Sequence, residues 1–163
     1  MRLQTSISDL ELRELSTEDA ESLHQLIQIN RSHLTQFGDY TDLVELSAAD
    51  LLREIETGSG PLQFGIIYGG ALIGTVSLIK YQPTVFGLGY WIATNRSGRG
   101  YATEAVRSVI DFAIDECGAT EIWAGITPTN EPSIRLVLRL GFSLVRTQET
   151  HLSYQLLVQR GGT

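Results

Sequence analysis

The chain has 163 residues, the size of one domain with one core. Apolar residues make up 42% and charged residues 19%, a balance that excludes an intrinsically disordered chain. Lys and Arg total 12 against 19 Asp and Glu, and the net charge of −7 argues against direct nucleic-acid binding, which needs a basic face for phosphates.

Residues 7–15 alternate loosely and predict a strand. Ser16 with an acid at Asp19 has the capping-box pattern and opens a helix carrying Leu23, Leu26 and Ile27 on one face. Asn30-Arg31-Ser32-His33-Leu34 falls at the end of that helix or in the turn after it. Ser47 and Asp50 repeat the cap for a short helix through Ile55, which Gly58-Ser59-Gly60-Pro61 stops. Residues 62–68 and 71–79 read as a hairpin about Gly69-Gly70, because paired glycines accept the positive φ of a tight turn. The run 57–79 carries no charge and at 23 residues could cross a bilayer, but this glycine break favours the hairpin and no membrane partner. The opening residues 1–15 carry acids where a signal peptide has an apolar stretch. One cysteine, Cys117, makes no internal disulfide, and three histidines add little toward a metal site. A cytoplasmic setting without metal is the expectation.

Residues 85–93 form another extended run. Ala102, Ala105, Val106, Val109, Ile110, Ala113 and Ile114 then mark one face of a four-turn helix that Gly118 ends. Residues 121–126 are a short strand. Asn130-Glu131-Pro132 opens a further helix, and Gly141 closes it. Residues 142–149 and 152–158 read as two final strands. The result is an α/β (α+β) chain of seven strands and four helices in one domain, 1–163. Hairpins alternate with crossover helices, so the sheet is expected to be mixed.

The chemistry concentrates in Trp91-Ile92-Ala93, Thr94-Asn95-Arg96, and Ser97-Gly98-Arg99-Gly100-Tyr101-Ala102-Thr103. A strand ends, a loop with two close glycines follows, and a long helix starts at once. Unpaired N–H groups and about half a positive charge from the helix dipole meet there. Glycines let backbone amides close around an anion, and Arg96 and Arg99 add cations. A tight turn needs no more than the same glycines. A P-loop requires Lys-Ser/Thr where Tyr101-Ala102 stand. A dinucleotide fingerprint requires a small residue at Thr103 and an acid at the far end of the next strand, whereas Glu121 begins its strand.

Residues 97–102 resemble the Q/R-x-x-G-x-G/A signature of the GNAT acetyltransferase superfamily, extended as G-Y-A-T-E-A through Ala105. Gly89-Tyr90-Trp91-Ile92, Asn130-Glu131-Pro132-Ser133 and Leu140-Gly141-Phe142 match further family segments in the family's order. The segment 30–34 is similar to one in the RimJ/RimL-type ribosomal-protein N-terminal acetyltransferases. The resemblance implies a mostly antiparallel sheet with a splay between its fourth and fifth strands, at 90–93 and 121–126. It implies acetyl-CoA as donor and an amine as acceptor, a ribosomal or other protein N-terminus among the candidates, with monomer and homodimer both open.

By the same resemblance, backbone groups of Trp91, Ile92 and Ala93 would bond the pantetheine arm, and residues 98–103 the pyrophosphate. The N–H of Ile92 would polarise the thioester carbonyl. Asn130 would reach the cofactor, and Ser133 would protonate the departing thiolate, because Val137 stands where many members have a tyrosine. As the residues read alone, Asn130 is a helix cap and Ser133 a first-turn serine. Gly87 occupies the position of the usual glutamate base, which leaves His33, Asp39, Glu149 and His151 as candidates. Ser97 replaces the signature Gln or Arg. At pH 7 about a tenth of an α-amino group is neutral, against well under a thousandth of a lysine side chain, so an N-terminal acceptor demands less of a base. A non-catalytic acyl-CoA-binding module and a small-molecule acetyltransferase are the alternatives.

Overall fold

The computed structural model describes residues 1–159, so the end of the expected 1–163 domain lies outside the described residues. Strands β1 (Arg2–Gln4) and β2 (Leu10–Glu14) lead into α1 (Ala20–Ile29), α2 (Arg31–Thr35) and α3 (Ala48–Thr57). Then come β3 (Leu62–Tyr68), β4 (Ala71–Gln82) and β5 (Val85–Ile92), followed by α4 (Tyr101–Asp115), β6 (Glu121–Ile126) and α5 (Glu131–Arg139). β7 (Ser143–Thr147) and β8 (Leu152–Leu157) end the fold. The strands make one sheet in the order β1-β2-β3-β4-β5-β6-β8-β7. Among the described residues only the β5–β6 pair is parallel. The sheet is therefore mixed and mostly antiparallel, as expected.

Two counts exceed the expectation. β1 is an eighth strand, pairing Arg2 with Arg13 and Gln4 with Glu11. At three residues it is too short to show alternation, and its register is set by the partner across the hairpin. α2 is a fifth helix of five residues, which continues from α1 past Asn30. The uncharged run 57–79 is the β3–β4 hairpin, with Gly69 and Gly70 at φ +57° and +84°. Among the described residues, no helix is long and apolar enough to cross a membrane.

Local signals account for most boundaries. Ser16 N–H donates to Asp19 Oδ2 (2.7 Å), and Ser47 forms a reciprocal capping box with Asp50 ahead of α3. α4 buries Ala105, Val106, Val109 and Ala113 completely, in one core with Phe64, Ile66, Val76 and Ile122. α5 adds Leu136 and Val137 to it. α1 and α3 form a second core, in which Leu23, Ile27 and Leu51 pack with Trp91. β5 therefore serves both cores, with Leu88 and Ile92 in the first and Trp91 in the second.

The feature that positions the site is where β5 and β6 part. They pair only from Val85 to Gly87 with Glu121 to Trp123. Beyond that, β5 stays on β4 as far as Ile92, and β6 stays on β8 as far as Ile126. The splay thus opens at Leu88 and Ala124. Glu121–Trp123, within the expected splay, are paired instead, because the parallel ladder holds for three residues before the strands diverge. Gly74 fixes the β4 side of this region: a Cβ there would lie 2.3 Å from the Trp91 carbonyl oxygen. Only glycine allows so close a backbone approach.

Candidate active site

A groove of about 480 Å³ runs along the end of β5 and the start of α4. Trp91, Ile92, Ser97, Gly98, Gly100, Tyr101, Ala102, Thr103, Asn130 and Ser133 all line it. Gly98 and Gly100 hold φ +76° and +80°, and a Cβ on either would meet nothing within 4 Å. These glycines serve backbone conformation and leave the space in front of the loop open. α4 begins directly after Gly100, so its first N–H groups have no intrahelical acceptor and face an anion-accepting position.

Cations approach this position from two sides. Arg96 lines the groove and lies over the Tyr68 ring, 5.5 Å from its centroid. Arg135 and Arg139, one turn apart on α5, line the opposite wall, and Arg139 Nη1 donates to Thr103 Oγ1 (3.2 Å). The sequence reading missed both α5 arginines. Their signal was a spacing of four on the helix that Asn130 opens. Arg99 and Ala93 lie outside the lining. The Ala93 N–H donates to Ile73 O (2.8 Å) and so is already bonded within the sheet. Ser97 Oγ donates to Ala93 O (3.4 Å), so its hydroxyl is turned to its own backbone.

Antiparallel pairing decides which β5 amides face the splay. Residues opposite each other alternate between a hydrogen-bonded and a non-bonded pair. Ala93 bonds to Ile73, so Trp91 bonds next to Thr75, and the N–H and C=O of Tyr90 and Ile92 point away from β4. The Tyr90 carbonyl confirms this parity by accepting the Tyr40 hydroxyl (2.5 Å). Of the three expected backbone positions, Ile92 alone presents its amide to the gap.

A second cavity of about 290 Å³ fills the splay and shares Asp39, Tyr40, Tyr90, Asn130 and Ser133 with the groove. Val137 lines it too. The Tyr90 hydroxyl donates to Ser133 Oγ (2.7 Å) across the gap. Burial raises the Tyr90 hydroxyl above the usual phenol range, and the bond to Ser133 opposes that rise in part. Burial, then the neighbouring Tyr90 and Asp39, raise the Tyr40 hydroxyl as well. Both phenols are neutral donors at neutral pH. Asn130 Oδ1 caps α5 by accepting from the Ser133 N–H (3.3 Å). Sequence reading missed Tyr90 and Tyr40 because their partners lie 43 and 50 residues away.

The segment 30–34 has a structural explanation. Buried Asn30 donates to Leu26 O (2.8 Å) and accepts from Thr94 N (2.9 Å), tying the end of α1 to the loop that leads to the glycines. His33 lines the groove, with Nδ1 3.0 Å from Gln36 Nε2. Glu149 and His151 line an outer recess on the far side of Asp39. Cys117 lies beyond the end of α4, outside both cavities, and burial raises its thiol further from the thiolate form.

Comparison with known proteins agrees with this geometry. The profile of the acetyltransferase (GNAT) domain family matches residues 9–143. The "Probable N-acetyltransferase YjcK" of Bacillus subtilis (strain 168) is 33% identical over 143 residues, 80% of this chain and 78% of that protein. The crystal structure of RimL, a ribosomal L7/L12 alpha-N-protein acetyltransferase in complex with coenzyme A, superposes with a TM-score of 0.84 at 16% identity, covering 97% of this chain and 98% of that one. The ribosomal-protein-S5-alanine acetyltransferase of Vibrio fischeri gives a TM-score of 0.83 at 17% identity over the whole of both chains. The anion-accepting helix start, the splayed strands and the family match converge: the chain belongs to the GNAT acetyltransferase family.

Proposed function

We propose that this chain transfers the acetyl group of acetyl-CoA to a primary amine by direct attack in a ternary complex, and that the acceptor is a protein N-terminal α-amino group. One observation carries the reading. The groove that begins at the Gly98–Gly100 loop meets the splay at Tyr90, Asn130 and Ser133, so one extended ligand can span anion cradle and proton donors. The amides of residues 98–103 would hold the pyrophosphate, with Arg96 and Arg139 beside it. The Ile92 N–H would stabilise charge developing on the thioester oxygen. Ser133 would pass its proton to the leaving sulfur. An aliphatic hydroxyl is a weak acid, and the Tyr90 phenol behind it (2.7 Å) offers the stronger proton source. A tyrosine on β5 thereby takes the place that Val137 leaves empty on α5. The RimL and S5 acetyltransferases, whose folds this chain shares, support the RimJ/RimL-type assignment and an N-terminal acceptor.

A non-catalytic acyl-CoA-binding module is the second reading. The departures at Gly87 and Val137 favour it. Free-thiol release from acetyl-CoA with a panel of peptides and small amines separates the two. The proposal expects amine-dependent thiol release, greatest with peptide N-termini, and its loss in Gly100→Glu with the fold intact by circular dichroism. Coenzyme A binding without release in any amine would leave only the binding module.

A further inference from the structure

We propose that the carboxylate of Asp39 is the group that receives the acceptor amine, holding it as an ammonium and taking its proton. This rests on the acetyl-transfer reading above and adds to it the base that β5 lacks. Gly87 carries no carboxylate, and the Tyr81 hydroxyl occupies the space beside it, 2.5 Å from where a Cβ would be.

Three observations single out Asp39 among the four candidates. It alone of the described residues lines the cofactor groove, the splay cavity and the outer recess together. That recess, about 660 Å³ and lined by Gly125, Thr127, Glu149 and His151, gives an acceptor its path from solvent. Glu149 and His151 border the recess only, and His33 the groove only. Next, Asp39 is held in place at a cost. Tyr40 adopts φ +59°, a left-handed conformation that is strained for a bulky side chain. Two hydrogen bonds fix this corner: Tyr40 Oη to Tyr90 O (2.5 Å), and Thr127 Oγ1 to the Asp39 carboxylate (2.7 Å to Oδ2). Finally, no Lys, Arg or His among the described residues forms an ion pair with Asp39. One hydroxyl donor leaves a carboxylate with acceptor sites to spare, and an ammonium carries the complementary charge. The titratable and charged groups lining these cavities are the Tyr40, Tyr90 and Tyr101 hydroxyls, the Glu149 carboxylate, the imidazoles of His33 and His151, and the guanidiniums of Arg96, Arg135 and Arg139.

The protons balance. An ammonium nitrogen has three hydrogens and the amide product keeps one. The first goes to Asp39 and leaves to solvent through the recess. The amine lone pair then forms the N–C bond, and the C–S bond breaks with its electron pair on sulfur. Asp39, emptied to solvent, takes the second nitrogen proton as the N–C bond completes, and the proton that Ser133 gives to sulfur is replaced from the Tyr90 hydroxyl, which is reloaded from solvent.

The test compares kcat/KM against pH for wild type, Asp39→Asn and Asp39→Glu. It uses a peptide with an ordinary α-amino group and an arylamine that is already neutral at pH 7. In Asp39→Asn, activity toward the peptide should fall at least a hundredfold at pH 7. It should recover about tenfold per pH unit up to the pKa of the amine, because only the neutral amine then reacts. Activity toward the arylamine should fall less than tenfold, Asp39→Glu should restore part of the loss, and calorimetric coenzyme A affinity should not change. A loss equal for both amines at every pH would make Asp39 merely structural and overturn the proposal. So would an unchanged Asp39→Asn, or the same pH signature in Glu149→Gln. A wild type that transfers acetyl to no amine would instead overturn the acetyl-transfer reading itself.

Discussion

Ser133 and Tyr90 are joined by a single 2.7 Å hydrogen bond, and the account gives each a different weight. In Ser133→Ala the sulfur loses its nearest donor, so kcat should drop by about one to two orders of magnitude with little change in coenzyme A affinity. In Tyr90→Phe the ring stays and only the hydroxyl goes. The expected loss in kcat is about tenfold, and KM for acetyl-CoA should hold. Steady-state kinetics on the two variants and their double mutant checks this. Full additivity of the two losses would show that the hydroxyls do not act as one path. Asn130 was legible in the sequence, since a cap followed by Pro is a local signal. The two tyrosine hydroxyls were not, because strand register brings them to partners far along the chain. Asp39 could be named from sequence as one of four candidates, but only the meeting of three cavities distinguishes it.

At the scale of elements, helix entry is coupled to the sheet by charge. Arg13 on β2 donates to both carboxylate oxygens of buried Asp19, at 2.7 and 2.9 Å, at the entrance to α1. The Arg13 hydrogen bond, against some desolvation, holds the Asp19 carboxyl below its ordinary value. A depressed carboxylate contributes stability that is present above its unfolded pKa of about 3.9 and is lost as pH falls through the folded value. Asp19→Asn should therefore lower stability by about 2–4 kcal/mol at pH 7. The deficit should shrink below about pH 4, where wild type loses the same interaction. Denaturant titrations at pH 7 and pH 3 measure both effects, and a deficit of equal size at the two would contradict the assigned cause. Most elements were readable because their caps and periodicities are local. β1 was not, since three residues carry no period. Nor was the placement of β8 between β6 and β7, because a hairpin's own sequence does not say which of its strands meets the sheet.

For the whole molecule, the decisive event is the separation of two parallel strands after three paired residues. Composition and charge argued against nucleic acid but could not show this gap. The glycine loop marked a helix start open in front, while the direction of the groove from that loop to Ser133 needed the packing of α4 and α5 on either side of β5. On the proposed reading α5 would bring Arg139 to the pyrophosphate and Ser133 to the thioester, and so would set the distance between binding and chemistry. The most direct test is a crystal structure of the wild-type protein with coenzyme A. The account predicts the diphosphate on the amides of residues 98–103, the arm bonded to the Ile92 backbone, and the sulfur in the splay beside Ser133. A diphosphate seated away from the Gly98–Gly100 loop, or a sulfur outside the gap between β5 and β6, would contradict it.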